Sequence, residues 1–137
     1  MIIRRATIED LDDIWQLANE SFAPSPWPKE VFEHELGSPR SIYFVTTGGF
    51  LGATQILDEV EVGSLGVSPK FQHQGIGQAL LMAVFALPKT KRVLLEVAST
   101  NTAAQALYHK VGFQPYYRRE KYYKNGDDAI MMERKID

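Results

Sequence analysis

The stretch from Leu65 to Leu81, LGVSPKFQHQGIGQALL, joins a predicted strand, a glycine-containing turn and a predicted helix. The first turn of a helix leaves about four backbone N–H groups without intrahelical partners and carries partial positive charge. Because Gly75 and Gly77 lack a Cβ, a phosphate can approach these amides closely. A tight strand-to-helix turn without a ligand explains the glycines equally well. Apolar residues after the turn have the spacing of a core-facing helix: Ile76, Ala79, Leu80, Ala83, Val84 and Leu87.

Two common phosphate-binding motifs do not fit this turn. A P-loop carries Lys and then Ser or Thr after its last glycine, whereas Gln78 and Ala79 follow Gly77 here. The dinucleotide-binding fingerprint needs a third glycine, and position 80 is Leu. The arrangement to be explained is therefore Gln72-x-x-Gly75-x-Gly77 after a strand.

The strand before the turn changes its hydrophobic phase. Valines occupy positions 60 and 62, but the next apolar residues are Leu65 and Val67, so a regular strand would turn one pair away from the core. One extra residue, a β-bulge, restores the alternation, and bulges often lie beside functional sites. A purely geometric role is equally consistent with the pattern. We expect the bulge at one of the small residues in between: Gly63 with Ser64, or Gly66.

The composition is that of an ordinary globular chain. With 137 residues, 45% of them hydrophobic and 23% charged, the chain has the length of one compact domain, and we expect residues 1–137 to form it. The 15 Lys and Arg against 17 Asp and Glu give a formal charge of -2. This balance argues against a broad nucleic-acid-binding face and leaves a basic partner open.

Other classes of protein are disfavoured by what the sequence lacks. It has no cysteine, which excludes disulfides and thiolate chemistry, and its three scattered histidines lack metal-ligand spacing, so we expect no metal site. The first residues contain no apolar run of a signal peptide, and no apolar stretch reaches the roughly 18 residues of a membrane span. We therefore expect a cytoplasmic protein without a membrane partner.

A single carboxylate interrupts the predicted buried strand Arg92–Ala98. The strand alternates, with two valines and a leucine on one face and Glu96 on the other, near the C-terminal end where sites of α/β sheets collect. We expect Glu96 to be buried, which would favour its neutral form and make it a candidate general base. The alternative is a structural salt bridge to a basic residue just before the strand, Lys91 or Arg92.

The segment after this strand begins a further predicted helix. Asn101 is a candidate N-cap, and Gly112 is a candidate helix end. Tyr108 lies beside the apolar stripe of the helix. By pattern alone, a tyrosine there is more often a core residue with a satisfied hydroxyl than a catalyst.

Aromatic residues are concentrated in two other segments. Trp27 stands between two prolines, on a stiff loop that suits either closure of the core or an aromatic wall for a ligand. The last predicted strands, Phe113–Arg119 and Asp127–Arg134, are joined through an Asn125-Gly126 hairpin turn. Four tyrosines are more than one core edge needs, so we expect some of them to contact a ligand: Tyr116, Tyr117, Tyr122 and Tyr123.

Taken together, these segments resemble a known family. The turn from Gln72 to Gly77, after a bulged strand, is similar to the acetyl-CoA pyrophosphate loop of the GNAT superfamily of N-acetyltransferases, whose pattern is Q/R-x-x-G-x-G/A. Three later stretches resemble the RimI-type branch, which acetylates the N-termini of ribosomal proteins: Leu95–Val97, Asn101–Tyr108 and Tyr122–Met132. The similarity extends from the first predicted strand to the last.

The resemblance implies an α+β fold with the element order β α α β β β α β α β β. A mixed central sheet would carry helices on both faces, and the strands of Leu65 and Leu95 would splay apart to admit acetyl-CoA, with no metal involved. A bulge near Gly66 would point amides at the thioester oxygen. By the same resemblance, ten residues would bind the cofactor: Leu65, Gly66, Val67, His73, Gln74, Gly75, Ile76, Gly77, Gln78 and Asn101.

The resemblance also implies catalytic and acceptor residues. Glu96 and Tyr108 fall on the positions of the general base and the general acid, and Trp27 and Tyr123 border the groove for a protein N-terminus. Acidic residues near the groove would complement a basic ribosomal protein, with a solvated surface as their alternative role: Glu33, Glu35, Asp58, Glu59, Asp127 and Asp128.

Two positions depart from the family pattern, because His73 and Gln78 stand where these enzymes commonly carry Arg. This difference bears on cofactor affinity, although binding of phosphate by amides does not depend on those side chains. The acceptor is open at this point. A lysine side chain or a small amine is a second hypothesis, and a non-catalytic CoA-binding module with Glu96 and Tyr108 in its core is a third.

Overall fold

The computed structural model describes all 137 residues, Met1 to Asp137. Its seven strands are β1 Arg4–Arg5, β2 Ser41–Thr46, β3 Gly49–Ile56, β4 Glu59–Val67, β5 Arg92–Ala98, β6 Gln114–Arg119 and β7 Ala129–Lys135. The helices are α1 Leu11–Phe22, α2 Lys29–Leu36, α3 Ile76–Phe85 and α4 Thr102–Lys110. The predicted α+β class and element order are confirmed. None of these helices has both the length and the apolar character needed to cross a membrane.

All strands belong to one mixed sheet with the order β1-β2-β3-β4-β5-β7-β6, in which only β4 and β5 are parallel neighbours. These two strands pair only where they begin, Glu59–Glu61 against Arg92–Leu94. Beyond that point they diverge, which confirms the predicted splay. A wedge therefore opens between the C-terminal halves of β4 and β5.

The predicted bulge in β4 lies at Gly63. Opposite it, Gly52 pairs with Ser64 and Ala53 pairs with Val62, so Gly63 has no partner residue in β3. The alternative place, Gly66, is a regular partner of Phe50. The extra residue restores the hydrophobic phase, because the apolar residues on both sides of the bulge pack on the same core: Val60, Val62, Leu65 and Val67.

Helices cover the two faces of the sheet unequally. On one face, α3 and α4 pack over the strands around Leu80, Val93 and Leu95. On the other face, α1 and α2 pack on β2, β3 and β4 through Ile14 and Phe32, and Trp15 packs against this core. The second face of β5, β7 and β6 therefore carries accessible side chains.

The connection between β6 and β7 differs from the predicted hairpin. The paired region ends at Arg119 opposite Ala129, so residues 120–128 form a loop. Asn125-Gly126 does form a tight turn, with Gly126 at φ +92°, but the turn lies inside this longer loop. Asp127 and Asp128 consequently belong to the loop and not to β7.

Candidate active site

Two connected clefts lie at the wedge. The wedge cleft, of about 700 Å³, opens between β4, β5 and α4 and is closed on one side by the 120–128 loop. The loop cleft, of about 580 Å³, continues over the turn before α3. The clefts form one groove, because both are lined by Val67, Gly77, Ala104 and Leu107.

The glycine turn presents free amides to the loop cleft. Gly75 and His73 have φ values of +80° and +65°, and these left-handed residues turn the chain sharply into α3. Ala79 donates the first helical hydrogen bond, to the Gly75 oxygen at 3.0 Å, whereas no backbone N–H from His73 to Gln78 donates one within the protein. A Cβ at Gly75 would meet no atom within 4 Å. The turn therefore has the donors and the space for an anion.

The C-terminal end of β4 also has free backbone groups. The Ser68 N–H donates to the Gly48 oxygen at 2.9 Å, so the alternation of an antiparallel ladder directs the Gly66 amide toward β3 as well. The amides of Leu65 and Val67 then point into the wedge, where β5 has diverged. The expectation that a bulge near Gly66 supplies these amides is wrong.

Most predicted cofactor-binding residues meet in the two clefts. Those that line them are Leu65, Val67, His73, Gly75, Ile76, Gly77, Gln78 and Asn101. Gln74 lines neither cleft, and Gly66 faces α1, where a Cβ would lie 2.9 Å from the Ser21 Oγ. The side-chain oxygen of Asn101 accepts the Ala104 N–H at 3.1 Å, so Asn101 also caps α4 as predicted.

Glu96 lines the wedge cleft and is exposed, so the prediction of a buried carboxylate is wrong. The reason is that its face of β5 is not covered by α1 or α2. The alternative salt bridge does not form either, because Arg92 pairs with Glu59 at 3.1 Å and with Glu133 at 2.8 Å. Glu96 takes part in no salt bridge. It is thus an accessible carboxylate without a cationic partner.

Two phenols face the same cleft. Tyr108 is half-buried against Phe113, with 5.8 Å between the ring centroids, and this burial raises the pKa of its hydroxyl. Burial also raises the pKa of Tyr123 to about 12, and the charge of nearby Glu96 acts in the same direction. Both phenols therefore keep their protons at neutral pH and can donate hydrogen bonds.

The 120–128 loop that carries Tyr123 is fixed by two carboxylates. Asp128 accepts the Lys121 N–H at 2.9 Å and pairs with Arg118 at 2.6 Å. Asp127 accepts the Thr100 hydroxyl at 2.6 Å, which ties the loop to the segment between β5 and α4. The position of Tyr123 thus depends on contacts from several parts of the chain.

Trp27 packs on core aromatics and also borders the wedge cleft. Its ring packs edge-to-face on Phe22 and Phe32, with centroid distances of 5.2 and 6.0 Å, and it also lines the wedge cleft. Trp27 and Tyr123 thus line one cleft from different elements. Tyr122, one of the four tyrosines considered for ligand contact, lines the cleft as well. Phe22 and Glu61 are lining residues that were missed from the sequence, because the register of β4 on β5 and the path of the loops carry no local signal.

The acidic residues expected around the groove lie elsewhere or are engaged. Asp58 and Glu59 lie at the β3–β4 turn, at the opposite end of the sheet, and Glu33 is exposed on α2. Glu35 accepts the Tyr43 hydroxyl, and Asp127 and Asp128 hold the loop. The carboxylates that line the wedge cleft are instead Glu61 and Glu96.

Comparison with known proteins gives the family. The model of the acetyltransferase (GNAT) family matches residues 8–113. The N-alpha-acetyltransferase RimI of Mycobacterium tuberculosis is 39% identical over 119 residues, which cover 80% of this chain and 75% of that protein. The ribosomal protein bS18-alanine N-acetyltransferase of Escherichia coli K12 is 35% identical over 117 residues, which cover 78% and 79%.

Solved structures agree with this similarity. The crystal structure of the ribosomal-protein-S18-alanine N-acetyltransferase from Escherichia coli superimposes with a TM-score of 0.89 at 29% identity, covering 99% of this chain and 94% of that one. The resemblance inferred from the turn and the later segments is confirmed, and so is the fold that it implied. The chain belongs to the GNAT family of acetyltransferases and is an acetyl-CoA-dependent N-acetyltransferase.

Proposed function

We propose that this enzyme acetylates the N-terminal α-amine of a protein, with a ribosomal protein of the bS18 type as acceptor, and that residues 1–137 form one acetyltransferase domain. The observation that carries the proposal is the unpaired Glu96 carboxylate, which shares its cleft with two protonated phenols and adjoins a turn of free amides. The relatives from Mycobacterium tuberculosis and Escherichia coli, named for an α-amine and for an alanine of bS18, support the same acceptor class.

The cofactor is held mainly by backbone groups in this proposal. The free amides from His73 to Gln78 bind the pyrophosphate at the N-terminus of α3. The amides of Leu65 and Val67, which point into the wedge, orient the thioester and donate to the oxyanion that develops on its carbonyl. His73 and Gln78 in place of Arg do not remove these donors.

Glu96 acts as the general base. An ammonium has no lone pair, so the acceptor must lose a proton before it attacks, and Glu96 accepts that proton directly or through one water. The task is modest for an α-amine, whose pKa is about 8, against about 10.4 for lysine. The difference corresponds to about 3 kcal/mol of deprotonation cost at the same pH.

Tyr108 acts as the general acid. The neutral amine attacks the thioester carbonyl, a C–N bond forms, and the C–S bond breaks to release the thiolate of CoA. Because burial raises the pKa of Tyr108, this phenol holds its proton until the thiolate accepts it. The acceptor nitrogen loses two protons in all, one to Glu96 before the attack and one to solvent as the tetrahedral intermediate collapses, and the thiolate gains one from Tyr108. Transfer of the proton on Glu96 back to Tyr108 through solvent then resets the enzyme.

Trp27 and Tyr123 enclose the first residue of the acceptor. Two aromatic walls in one cleft leave room for a small first side chain on a flexible chain end, and they disfavour a lysine that lies on a folded surface. We therefore expect acceptors that begin with Ala or Ser.

Mass spectrometry of peptides incubated with the enzyme and acetyl-CoA tests this function. A peptide that begins with Ala and continues with basic residues is expected to be acetylated at its α-amine. The matched control is the same peptide with a blocked N-terminus and its lysines intact. Equal acetylation of the blocked peptide would move the acceptor to lysine side chains and contradict the proposal.

A further inference from the structure

A small pocket adjoins the wedge cleft and has no part in the reaction as described so far. This side pocket, of about 110 Å³, lies between α2, β2 and the bulge of β4. It shares Trp27, Gly63 and Ser64 with the wedge cleft, so the two spaces are continuous. Its other lining residues are Val31, Phe32, Glu35 and Tyr43.

The side pocket contains a carboxylate without a cationic partner. Glu35 is half-buried and takes part in no salt bridge, and no Lys, Arg or His lines the pocket. The Tyr43 hydroxyl donates to one carboxylate oxygen of Glu35, and burial together with this hydrogen bond raises the pKa of Tyr43. Tyr43 is therefore a neutral donor, and the second oxygen of Glu35 accepts no hydrogen bond within the protein.

The walls of the side pocket suit an organic cation. Trp27 and Phe32 lie next to each other, with 6.0 Å between their ring centroids, and Phe32 in turn contacts Tyr43 edge-to-face. Aromatic rings attract ammonium and guanidinium groups, and a carboxylate forms charge-assisted hydrogen bonds with either of them. A pocket of this composition therefore favours a Lys or Arg side chain over a neutral side chain of similar size.

The mouth of the side pocket lies across the wedge from Glu96. The last paired residues of β4 and β5 are Glu61 and Leu94, so Gly63 and Glu96, each two residues farther along, lie level with each other on the diverging strands. An acceptor amine at Glu96 is thus separated from this mouth by more than the spacing of paired strands, about 4.8 Å. One residue step of about 3.8 Å followed by a long side chain covers this distance, and Gly63 has no side chain to close the mouth.

We propose that the side pocket binds the side chain of the acceptor's second residue and selects Lys or Arg there, with Glu35 as the specificity-determining residue. The inference rests on the proposed acetylation of a protein α-amine and adds a requirement on the residue that follows it. The free carboxylate oxygen of Glu35 accepts a hydrogen bond from the ammonium or guanidinium, while Trp27 and Phe32 cover the apolar stem of the side chain.

Pairs of otherwise neutral peptides that differ only at the second residue test this selection. The wild type is expected to acetylate the Ala-Lys peptide with a kcat/KM about tenfold above that for the Ala-Met peptide, as for a hydrogen bond to a charged group. Glu35→Gln keeps an acceptor for the Tyr43 hydroxyl but removes the charge, and it should reduce this ratio to about twofold or less. Because the ratio is taken within one variant, a general loss of active enzyme cancels.

Glu33→Gln is the matched control, because Glu33 is exposed on the same helix and lines neither the wedge cleft nor the side pocket. Its ratio should equal that of the wild type. A ratio that Glu35→Gln leaves unchanged, or an equal preference for Lys at the third position, would overturn the proposal. Equal acetylation of both peptides by the wild type would also overturn it while the proposed function stands, whereas acetylation of neither α-amine would contradict the proposed function itself.

Discussion

The loop cleft and the wedge cleft are two parts of one groove, but they are built in different ways. The loop cleft is formed largely by consecutive residues whose backbone amides are free, between His73 and Gln78. The wedge cleft is formed by side chains from separate elements: Trp27 before α2, Glu61 on β4, Glu96 on β5, Tyr108 on α4 and Tyr123 in the 120–128 loop.

This difference has a consequence for substitution. A site made of backbone donors tolerates changes of side chain as long as the turn keeps its shape, which is consistent with His73 and Gln78 in the places of Arg. A site made of converging side chains depends on each residue and on the contacts that place it. We therefore expect conservative changes in the wedge cleft to reduce turnover and those in the loop cleft to leave it nearly unchanged.

The largest expected effect is that of Glu96→Gln. Removing the base should lower kcat/KM for a peptide that begins with Ala by about 100-fold or more, which is the lower range for general base catalysis. The affinity for acetyl-CoA should not change. Steady-state kinetics with calorimetry measures both quantities.

Glu61→Gln is the matched control for Glu96, because it changes the other carboxylate of the same cleft. Glu61 pairs in register with Leu94, so Glu96 lies two residues, or about 7 Å, farther along the wedge. We expect Glu61→Gln to cost less than about fivefold, an effect of charge alone. If the two variants exchanged their effects, Glu61 would be the base.

A smaller effect is expected for Tyr108→Phe. This variant keeps the ring that packs on Phe113 and removes the proton donor, so kcat should fall about 30-fold while the affinity for acetyl-CoA stays constant. A drop in thermal stability with unchanged kcat would assign Tyr108 to the core, which was the alternative from the pattern.

The two clefts also differ in how far the sequence predicts them. The turn before α3 has local signals, two glycines and a helix stripe, and eight of the ten residues predicted to bind the cofactor line the groove. The other two, Gly66 and Gln74, line neither cleft, and Gly66 faces α1. The bulge at Gly63 was among the predicted places, because a change of hydrophobic phase is also a local signal.

The wedge cleft depends on long-range geometry that local patterns do not contain. The exposure of Glu96 follows from where α1 and α2 end across the sheet, and no periodicity of β5 reveals that. Glu61 was missed for the same reason, since the register of β4 against β5 places it in the cleft. Glu59 and Asp128 were expected to present free charge near the groove. Each instead pairs with an arginine of another segment, Arg92 and Arg118, and local patterns do not show such pairs.

A substitution that changes the shape of the glycine turn should weaken acetyl-CoA binding in the loop cleft, whereas one that changes only a side chain should not. A Cβ at Gly77 would already lie 3.2 Å from Leu107, so Gly77→Val must displace α4 or fill the space over the amides. We expect the affinity for acetyl-CoA to fall about tenfold, as for overpacking of about 1 to 2 kcal/mol. Gln78→Ala, which keeps the amide, is the calorimetric control and should stay within about twofold.

The smallest effect is expected at Asp128, whose contacts hold the 120–128 loop that closes one side of the wedge cleft. Its carboxylate accepts the Lys121 amide and pairs with Arg118, and these contacts hold its pKa below the ordinary value. A lowered pKa means that the contacts are complete above about pH 4 and are lost only as the pH falls through the lowered value. Across an assay range of about pH 6 to 9, Asp128 should therefore add no pH dependence to the KM of the acceptor peptide.

Asp128→Asn removes this charge at every pH. The 120–128 loop then loosens around Tyr123, and we expect the acceptor KM to rise about threefold, as for loss of an accessible ion pair. The affinity for acetyl-CoA should not change, because the loop cleft takes no residue from this loop. A parallel loss of acetyl-CoA affinity would mean that the two clefts are coupled through Thr100 and α4, and the distinction between a backbone-built and a side-chain-built half would not hold.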